Sequence, residues 1–231
     1  MVVEDEPRLA ALVASYLERD GFEVTVEPDG EQAVARAREV DPHVIVLDLG
    51  LPALDGVEVC RQVRTFSDAY VVMLTARSDE VDKLIGLSVG ADDYVTKPFS
   101  PRELMARVQA MLRRPRSPRS ASGGDGGEES DVRTFGGLVV DATGRDVWLD
   151  GEPVALTRTA FDLLAALVER PRMAFSRRQL IDEVWGAAWV GDEHLVDVHV
   201  GHLRRKLGDE AATGRFVRTV RGVGYRMGTG A

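Results

Sequence analysis

The sequence predicts an α/β domain followed by a smaller α+β domain. Two observations carry this prediction: the strict alternation of elements before residue 113, and the change in their order after residue 130. At 231 residues, the chain is long enough for two domains that each bury a core of their own. We therefore expect a domain at 1–112, a linker at 113–130 and a second domain at 131–231.

In the first domain, apolar runs alternate with amphipathic segments. The runs are VV near the start, FEVTV, VIVLD, YVVML and DYVT, and the segments between and after them show helical spacing. Five strands and five helices in this order predict a parallel sheet that is covered on both faces. The first strand is expected to be only two or three residues long.

Residues 113–130, RRPRSPRSASGGDGGEES, form the predicted linker, because they contain no apolar side chain larger than alanine. After them come short strand-like pieces (FGGLVVD, VWLDG, EPVAL), three helical patterns and a hairpin-like pair, FVRTVRGVGYRM. Thr157 and Ser176 stand where helix N-caps belong, and the Arg170-Pro171 step ends the first of these helices. This order indicates an α+β domain.

Composition narrows the class of protein. No apolar run approaches the roughly 20 residues that span a bilayer, and the acidic start MVVEDEP lacks the features of a secretory signal. We therefore expect a cytoplasmic protein with no membrane partner. The single cysteine, Cys60, cannot form an internal disulfide and offers no thiolate metal cluster.

The net charge of −9 is unevenly distributed. Residues 1–112 hold 11 basic and 21 acidic residues, whereas residues 131–231 hold 14 of each. Within 194–231, seven basic residues stand against three acidic ones. A basic surface near the C-terminus is therefore available for nucleic-acid phosphates.

Acidic side chains end two of the predicted parallel strands. Glu4 and Asp5 follow the first strand, and Asp48 ends the third. Because functional groups gather at the carboxyl ends of such strands, these carboxylates are expected to converge and to bind a hard divalent cation such as Mg²⁺. Thr75 ends the fourth strand and Lys97 follows the fifth. Together with the carboxylates, their hydroxyl and ammonium groups form a candidate phosphoryl-transfer site.

The segments VVEDE, VLDLGLPALDG, MLTA and GADDYVTKPFSPREL together resemble the receiver domain of response regulators, a (βα)5 flavodoxin-like fold, over residues 1–112. The resemblance implies that Asp48 is the phosphoacceptor, that Thr75 and Lys97 contact the phosphoryl group, and that Tyr94 is an aromatic switch. It also implies Mg²⁺ ligands from Glu4, Asp5, Asp48 and the backbone carbonyl of Gly50, and a cis peptide bond at Lys97-Pro98.

The segments LTRTAFDLLAALVER, LIDEVWG, VDVHVGHLRRKLGD and VRTVRGVGYRM resemble the winged-helix DNA-binding domain of the OmpR/PhoB type, over roughly residues 133–228. The resemblance makes 193–207 the recognition helix and the following hairpin the wing, and the loop GAAWVGDEH the contact with RNA polymerase. It implies DNA contacts from six residues: His199, His202, Arg204, Arg205, Thr219 and Arg221. Many members of the family carry Arg or Ser-Arg where this chain has Gly201-His202, so their base preference does not transfer.

Together the two resemblances imply a transcription regulator of a two-component system rather than a metabolic enzyme. A sensor histidine kinase would phosphorylate Asp48, and the phosphorylated chain would form a homodimer and bind double-stranded promoter DNA. The implied dimer face lies on the fourth and fifth predicted helices, with cross-dimer ion pairs between Lys83 and Glu103 and between Asp93 and Arg107, around an apolar centre such as Ile85 and Leu87.

Three alternatives remain open. A Mg²⁺-dependent phosphohydrolase would also use Asp48, but it would need a carboxylate two residues later, where this chain has Gly50. A regulator that binds DNA without phosphorylation is favoured only by the short first strand. His199 and His202 form an HxxH pair that could bind a metal ion, although no third ligand is evident.

Overall fold

Two units make up the chain in a computed structural model, Met1–Arg113 and Arg114–Ala231, and each is described by itself. The structure describes residues 1–75, 89–112 and 132–231. The predicted linker and most of the helix predicted at VDKLIGLSV, with Lys83, Ile85 and Leu87, lie outside these ranges.

The first unit contains a five-stranded parallel sheet of order β2-β1-β3-β4-β5. Its elements are β1 (Val2–Val3), α1 (Pro7–Arg19), β2 (Val26–Glu27), α2 (Gly30–Val40), β3 (Val44–Asp48), α3 (Gly56–Val63), β4 (Tyr70–Thr75), β5 (Asp93–Thr96) and α4 (Pro101–Leu112). Every residue of β3 and β4 is buried, as expected for central strands that helices cover on both faces. The predicted α/β class is confirmed.

The second strand is shorter than the predicted FEVTV segment. It consists of Val26 and Glu27 alone, and Val26 is 42% exposed. The second strand is short because its partner, β1, offers only Val2 and Val3 for pairing. The hydrogen-bonded ladder between the two strands therefore cannot be longer.

A half-buried arginine, Arg64, connects the segments that lead into β4 and β5. Arg64 Nε donates to the carbonyl of Gly90 at 2.8 Å, and Nη1 donates to the carbonyl of Ala69. Nη2 forms a 2.6 Å ion pair with the carboxylate of Asp92, whose side chain is almost fully buried. The same carboxylate oxygen accepts a hydrogen bond from the backbone N–H of Val71. Arg64 therefore neutralises a buried acid and fixes two strand entries.

Over its described residues, 132–231, the second unit combines two antiparallel sheets with three helices. The elements are β6 (Val132–Phe135), β7 (Leu138–Asp141), β8 (Asp146–Leu149), β9 (Glu152–Pro153), α5 (Arg158–Glu169), β10 (Phe175–Ser176), α6 (Arg177–Val184), α7 (His194–Lys206), β11 (Val217–Val220) and β12 (Gly224–Met227). The sheets have the orders β6-β7-β8-β9 and β10-β12-β11. The predicted α+β class and terminal hairpin are confirmed, whereas strands β6 and β10 were not predicted from the sequence.

Side-chain caps begin the first two helices of this unit where the sequence predicts them. Thr157 accepts a hydrogen bond from the backbone N–H of Ala160, and Ser176 forms a reciprocal capping box with Gln179. The third helix, α7, begins without a side-chain cap. Among the residues that the structure describes, no helix is long and apolar enough to cross a membrane.

Candidate functional site

The carboxyl ends of β1 and β3 bring three acidic side chains together. Glu4 and Asp5 follow β1, and Asp48 is the last residue of β3. One carboxylate oxygen of each lies within 4.8 Å of the others. Glu4 and Asp48 are buried whereas Asp5 is exposed, so the cluster is open to solvent on one side. This is the convergence that the strand order predicts.

Lys97 completes the cluster from the neighbouring edge of the sheet. Its ammonium lies 2.8 Å from Glu4 Oε2 and 2.9 Å from Asp48 Oδ1. The residue follows β5 directly, its backbone N–H donates to the carbonyl of Thr75, and the Lys97-Pro98 peptide bond is cis, as expected. Burial lowers the pKa of Lys97, but hydrogen bonds to Glu4 and Asp48 outweigh burial and leave the pKa above its usual value.

The electrostatics of the pocket suit a cation. Burial raises the pKa of Glu4, and the nearby charge of Asp48 raises it further, while the hydrogen bond from Lys97 opposes both effects. A hard divalent ion bound by Glu4, Asp5 and Asp48 would offset the same repulsion through oxygen ligands. A Cβ at Gly50 would lie 3.3 Å from Asp48 Oδ2, so the glycine keeps space beside that carboxylate. The donor set therefore fits a divalent cation.

The two remaining residues expected in this site lie on adjacent strands. Thr75 is the buried last residue of β4. Tyr94 is the second residue of β5 and is half-buried opposite Met73 of β4. Both therefore stand on the strand pair that ends beside Lys97.

The residues of the expected dimer face pair within one chain. Arg107 contacts Asp93 of β5 and Glu103 of its own helix, each at 2.9 Å. Asp93 is fully buried and Arg107 nearly so. The expected partner of Asp93 across a dimer is thus already held by the same chain, because the two residues face each other between β5 and α4. Lys83 lies outside the described residues.

In the second unit, α7 and the hairpin β11–β12 present the predicted basic surface. Arg205 on α7, Thr219 on β11 and Arg221 in the hairpin turn are exposed. Arg204 is half-buried and points back to the hairpin, where its Nη2 donates to the carbonyl of Val217 at 2.7 Å and to Thr219 Oγ1 at 2.8 Å. Arg204 and Thr219 therefore join the helix to the wing.

The expectation that His199 faces DNA is wrong. Its side chain is 1% exposed, and its ring centre lies 5.4 Å from that of buried Trp185. His199 occupies the side of α7 that packs into the core, whereas His202, one turn later, is half-buried. The HxxH pair also belongs to no metal cluster: among the described residues, the only group of three or more candidate ligands is the acidic one in the first unit.

A polar cluster at the start of α7 was not predicted from the sequence. Asp197 Oδ1 accepts hydrogen bonds from Tyr225 Oη on β12 (2.6 Å) and from Arg177 Nε on α6 (2.8 Å), and Oδ2 lies 3.0 Å from His194 Nδ1. Burial favours the neutral form of Asp197, but these hydrogen bonds outweigh burial and lower its pKa. Burial and the hydrogen bond to Asp197 raise the pKa of Tyr225 to about 12. The cluster fixes helix α7 against helix α6 and strand β12. Its residues are scattered along the sequence, and no local pattern marks them.

Two family models match the chain: the response regulator receiver domain at residues 1–109 and the C-terminal domain of transcriptional regulatory proteins at residues 151–227. The sensory transduction protein RegX3 of Mycolicibacterium smegmatis is 44% identical over 98% of this chain and 97% of its own length. The DNA-binding response regulator MtrA of the same organism is 42% identical over 99% of this chain and 96% of its own length.

Solved structures give the same result over the whole chain. The response regulator DrrB, described as a Thermotoga maritima OmpR/PhoB homologue, is 32% identical with a TM-score of 0.50, and the match covers 98% of this chain and 97% of DrrB. A RitR mutant is 25% identical with a TM-score of 0.71, and covers 98% and 96% of the two chains. The chain therefore belongs to the OmpR/PhoB-type family of DNA-binding response regulators, with a receiver domain and a C-terminal DNA-binding domain.

Proposed function

We propose that Asp48 is the phosphoacceptor through which this response regulator is switched. The observation that supports this role is the position of the Asp48 carboxylate, which is buried beside Glu4 and held at 2.9 Å by Lys97 in a pocket that suits a divalent cation. In the transfer, a carboxylate oxygen of Asp48 forms a bond to phosphorus, and the bond from phosphorus to a histidine nitrogen of the sensor kinase breaks.

The remaining receiver residues have supporting roles in this proposal. Mg²⁺ would be held by Glu4, Asp5, Asp48 and the Gly50 carbonyl, and would neutralise charge on the phosphoryl oxygens. Lys97 contacts the carboxylates of Glu4 and Asp48. On phosphorylation, its ammonium exchanges one of these two contacts for a contact with a phosphoryl oxygen. Thr75 donates its hydroxyl to the same group, and Tyr94 moves inward with it.

The output is promoter binding by a homodimer in the cytoplasm. Because Arg107 is held by Asp93 and Glu103 of its own chain, the dimer face forms by exchanging these ion pairs with a second copy. Helix α7 enters the major groove beside the wing, with Arg205 and Arg221 on the exposed side. Val190, 75% exposed in the loop before α7, is the proposed contact with RNA polymerase.

The test is the intact mass of the full chain after treatment with acetyl phosphate and Mg²⁺, measured with its elution volume on a sizing column. We expect one phosphoryl adduct and a shift toward dimer in the wild type, and neither in Asp48→Asn. Asp29→Asn is the matched control, because it changes a half-buried carboxylate that caps α2 and should keep the adduct. A folded wild type without an adduct would exclude the proposed switch.

The same experiment separates the two alternative functions. A phosphohydrolase would release many phosphates for each chain instead of accumulating an adduct, although Gly50 stands where its acid or base would be needed. A regulator independent of phosphorylation would bind promoter duplexes equally well with and without the phosphodonor.

A further inference from the structure

The exposed side of α7 has polar ends and a centre that offers no hydrogen-bonding side chain. Four residues at helical spacing form this stripe, which we call the reading stripe: His194, Val198, Gly201 and Arg205. His194, Gly201 and Arg205 are exposed and Val198 is half-exposed. The opposite side is buried. At 1.5 Å per residue, the stripe is about 16 Å long, so Val198 and Gly201 occupy the middle of the surface that meets a major groove.

Packing does not require a glycine at the centre of the stripe. A Cβ built on Gly201 meets no atom within 4 Å, and the residue adopts ordinary helical geometry rather than a positive φ. Glycine weakens a helix interior relative to alanine. Gly201 therefore lowers the stability of α7, and no contact within the described residues explains why a glycine stands there. The open space beside it lies on the exposed side of the helix.

The polar neighbours of Gly201 do not place a hydrogen-bonding group at the centre of the reading stripe. Arg204 is bound to Val217 and Thr219 of the wing, and Asp197 is occupied by Tyr225, Arg177 and His194. His202 is half-buried, and its Nε2 is enclosed with no hydrogen-bond partner among the described residues. The centre of the stripe is thus formed by the methyl groups of Val198 and the bare backbone of Gly201.

We infer that α7 recognises the methyl group of a thymine at the centre of its DNA site, through Val198 and the space at Gly201, and that hydrogen-bonded guanine readout is confined to the Arg205 end. The inference rests on the proposed DNA-binding function. Thymine is the base that presents a methyl group in the major groove, where apolar side chains contact it. A guanine at the same place would present two acceptors to a surface without donors, and its desolvated O6 and N7 would be left unsatisfied.

The experiment begins with selection from random DNA duplexes by the full chain treated with acetyl phosphate and Mg²⁺. Thymines of the selected site are then replaced one at a time by deoxyuridine, which lacks only the methyl group. Variants Val198→Ala and Gly201→Arg are compared with Gly201→Ala, which adds a methyl group and no donor. Thermal unfolding of each variant checks that the fold is retained.

We expect one interior thymine whose replacement weakens wild-type binding about fourfold, which corresponds to the burial of one methyl group, and leaves Val198→Ala binding nearly unchanged. Gly201→Arg should select guanine at or beside this position with a preference of about tenfold or more. Gly201→Ala, which fills the same space without adding a donor, should weaken binding to the thymine site and should not select guanine there. An interior guanine selected by the wild type, or a Gly201→Arg site identical to it, would overturn this inference alone. A wild type that selects no duplex would overturn the proposed function as well.

Discussion

Loss of the Arg64 side chain should strongly weaken the first unit. Arg64→Ala would leave the carboxylate of Asp92, which is 1% exposed, without its cation. Removing one partner of a buried ion pair costs about 3–5 kcal/mol. We expect a fall of this size in the free energy of unfolding of the first unit, measured by urea titration followed by circular dichroism.

Arg36→Ala is the matched control for this change. Arg36 forms a 2.8 Å pair with Glu39, and both side chains are about half-exposed. Because exposed pairs contribute roughly 0–1 kcal/mol, this variant should unfold at nearly the wild-type urea concentration. An equal shift in both variants would show that burial does not decide the contribution of the arginine.

Exposed His194 and half-buried His202, both on α7, should respond to pH in opposite directions. Burial lowers the pKa of His202 below its ordinary value of 6.5, and the charges of Arg205 and Lys206 add to the effect. The unfolded chain therefore takes up a proton there before the folded chain does, so the second unit loses stability as the pH falls below about 6.5. His202→Gln should reduce this loss between about pH 7 and pH 5, measured by urea unfolding at each pH.

For His194→Gln, we expect the opposite effect on the pH dependence of stability. The hydrogen bond to Asp197 raises the pKa of His194, so its contribution is fully present below about pH 6.5 and disappears as the pH rises through the raised value. His194 is 74% exposed, and the effect is therefore screened and small. The variant should lose slightly more stability on acidification than the wild type. A change of the same sign in both variants would contradict the assigned environments.

Individual residues were predictable where backbone geometry decides their position. Glu4, Asp5 and Asp48 converge because parallel strands end at one edge. His199 could not be placed in this way, because helical spacing groups it equally well with the buried and the exposed side of α7, and only packing against Trp185 decides. Asp209 accepts backbone hydrogen bonds from Arg215, Phe216 and Val217, a tertiary role that no local pattern reveals.

At the scale of elements, two glycines of the second unit should respond oppositely to the same substitution. Gly201→Ala fills open space on a helix and should raise the free energy of unfolding by about 0.5–1 kcal/mol. Gly224 has φ +155°, and a Cβ there would lie 2.2 Å from the carbonyl oxygen of Phe175. Gly224→Ala should therefore destabilise the unit by separating β10 from β12. Tryptophan fluorescence during urea unfolding measures both, and two changes of the same sign would contradict this account.

Elements with strong patterns were predicted and weak ones were missed. Strands β3 and β4 have unbroken apolar runs, and helices α5 and α6 have caps and an apolar face. Strand β6, VRTF, has two adjacent polar residues at its centre, pairs only with β7 among the described strands and lacks a buried residue. Its strand conformation comes from that pairing, which sequence periodicity does not contain. The shortening of β2 has the same origin, since its partner limits it.

At the scale of the whole molecule, the tryptophans report on only one of the two units. The chain has three, Trp148, Trp185 and Trp189, and all follow the predicted linker. Trp185 and Trp189 are buried, so unfolding of the second unit exposes them to water. Circular dichroism follows both units, and a comparison of the two signals therefore separates one unfolding event from the other.

We expect the two units to unfold as separate cooperative transitions, because each buries its own apolar core and the sequence between them is rich in Pro, Ser and Gly. Arg64→Ala should move the circular dichroism transition of the first unit to lower urea and leave the fluorescence midpoint unchanged. Ser176→Ala, which removes a capping box from α6, should do the reverse and lower the stability of the second unit by about 1 kcal/mol. A fluorescence midpoint that moves with Arg64→Ala would instead mean that the chain unfolds as one cooperative body, and that stabilisation of the receiver reaches the DNA-binding unit directly.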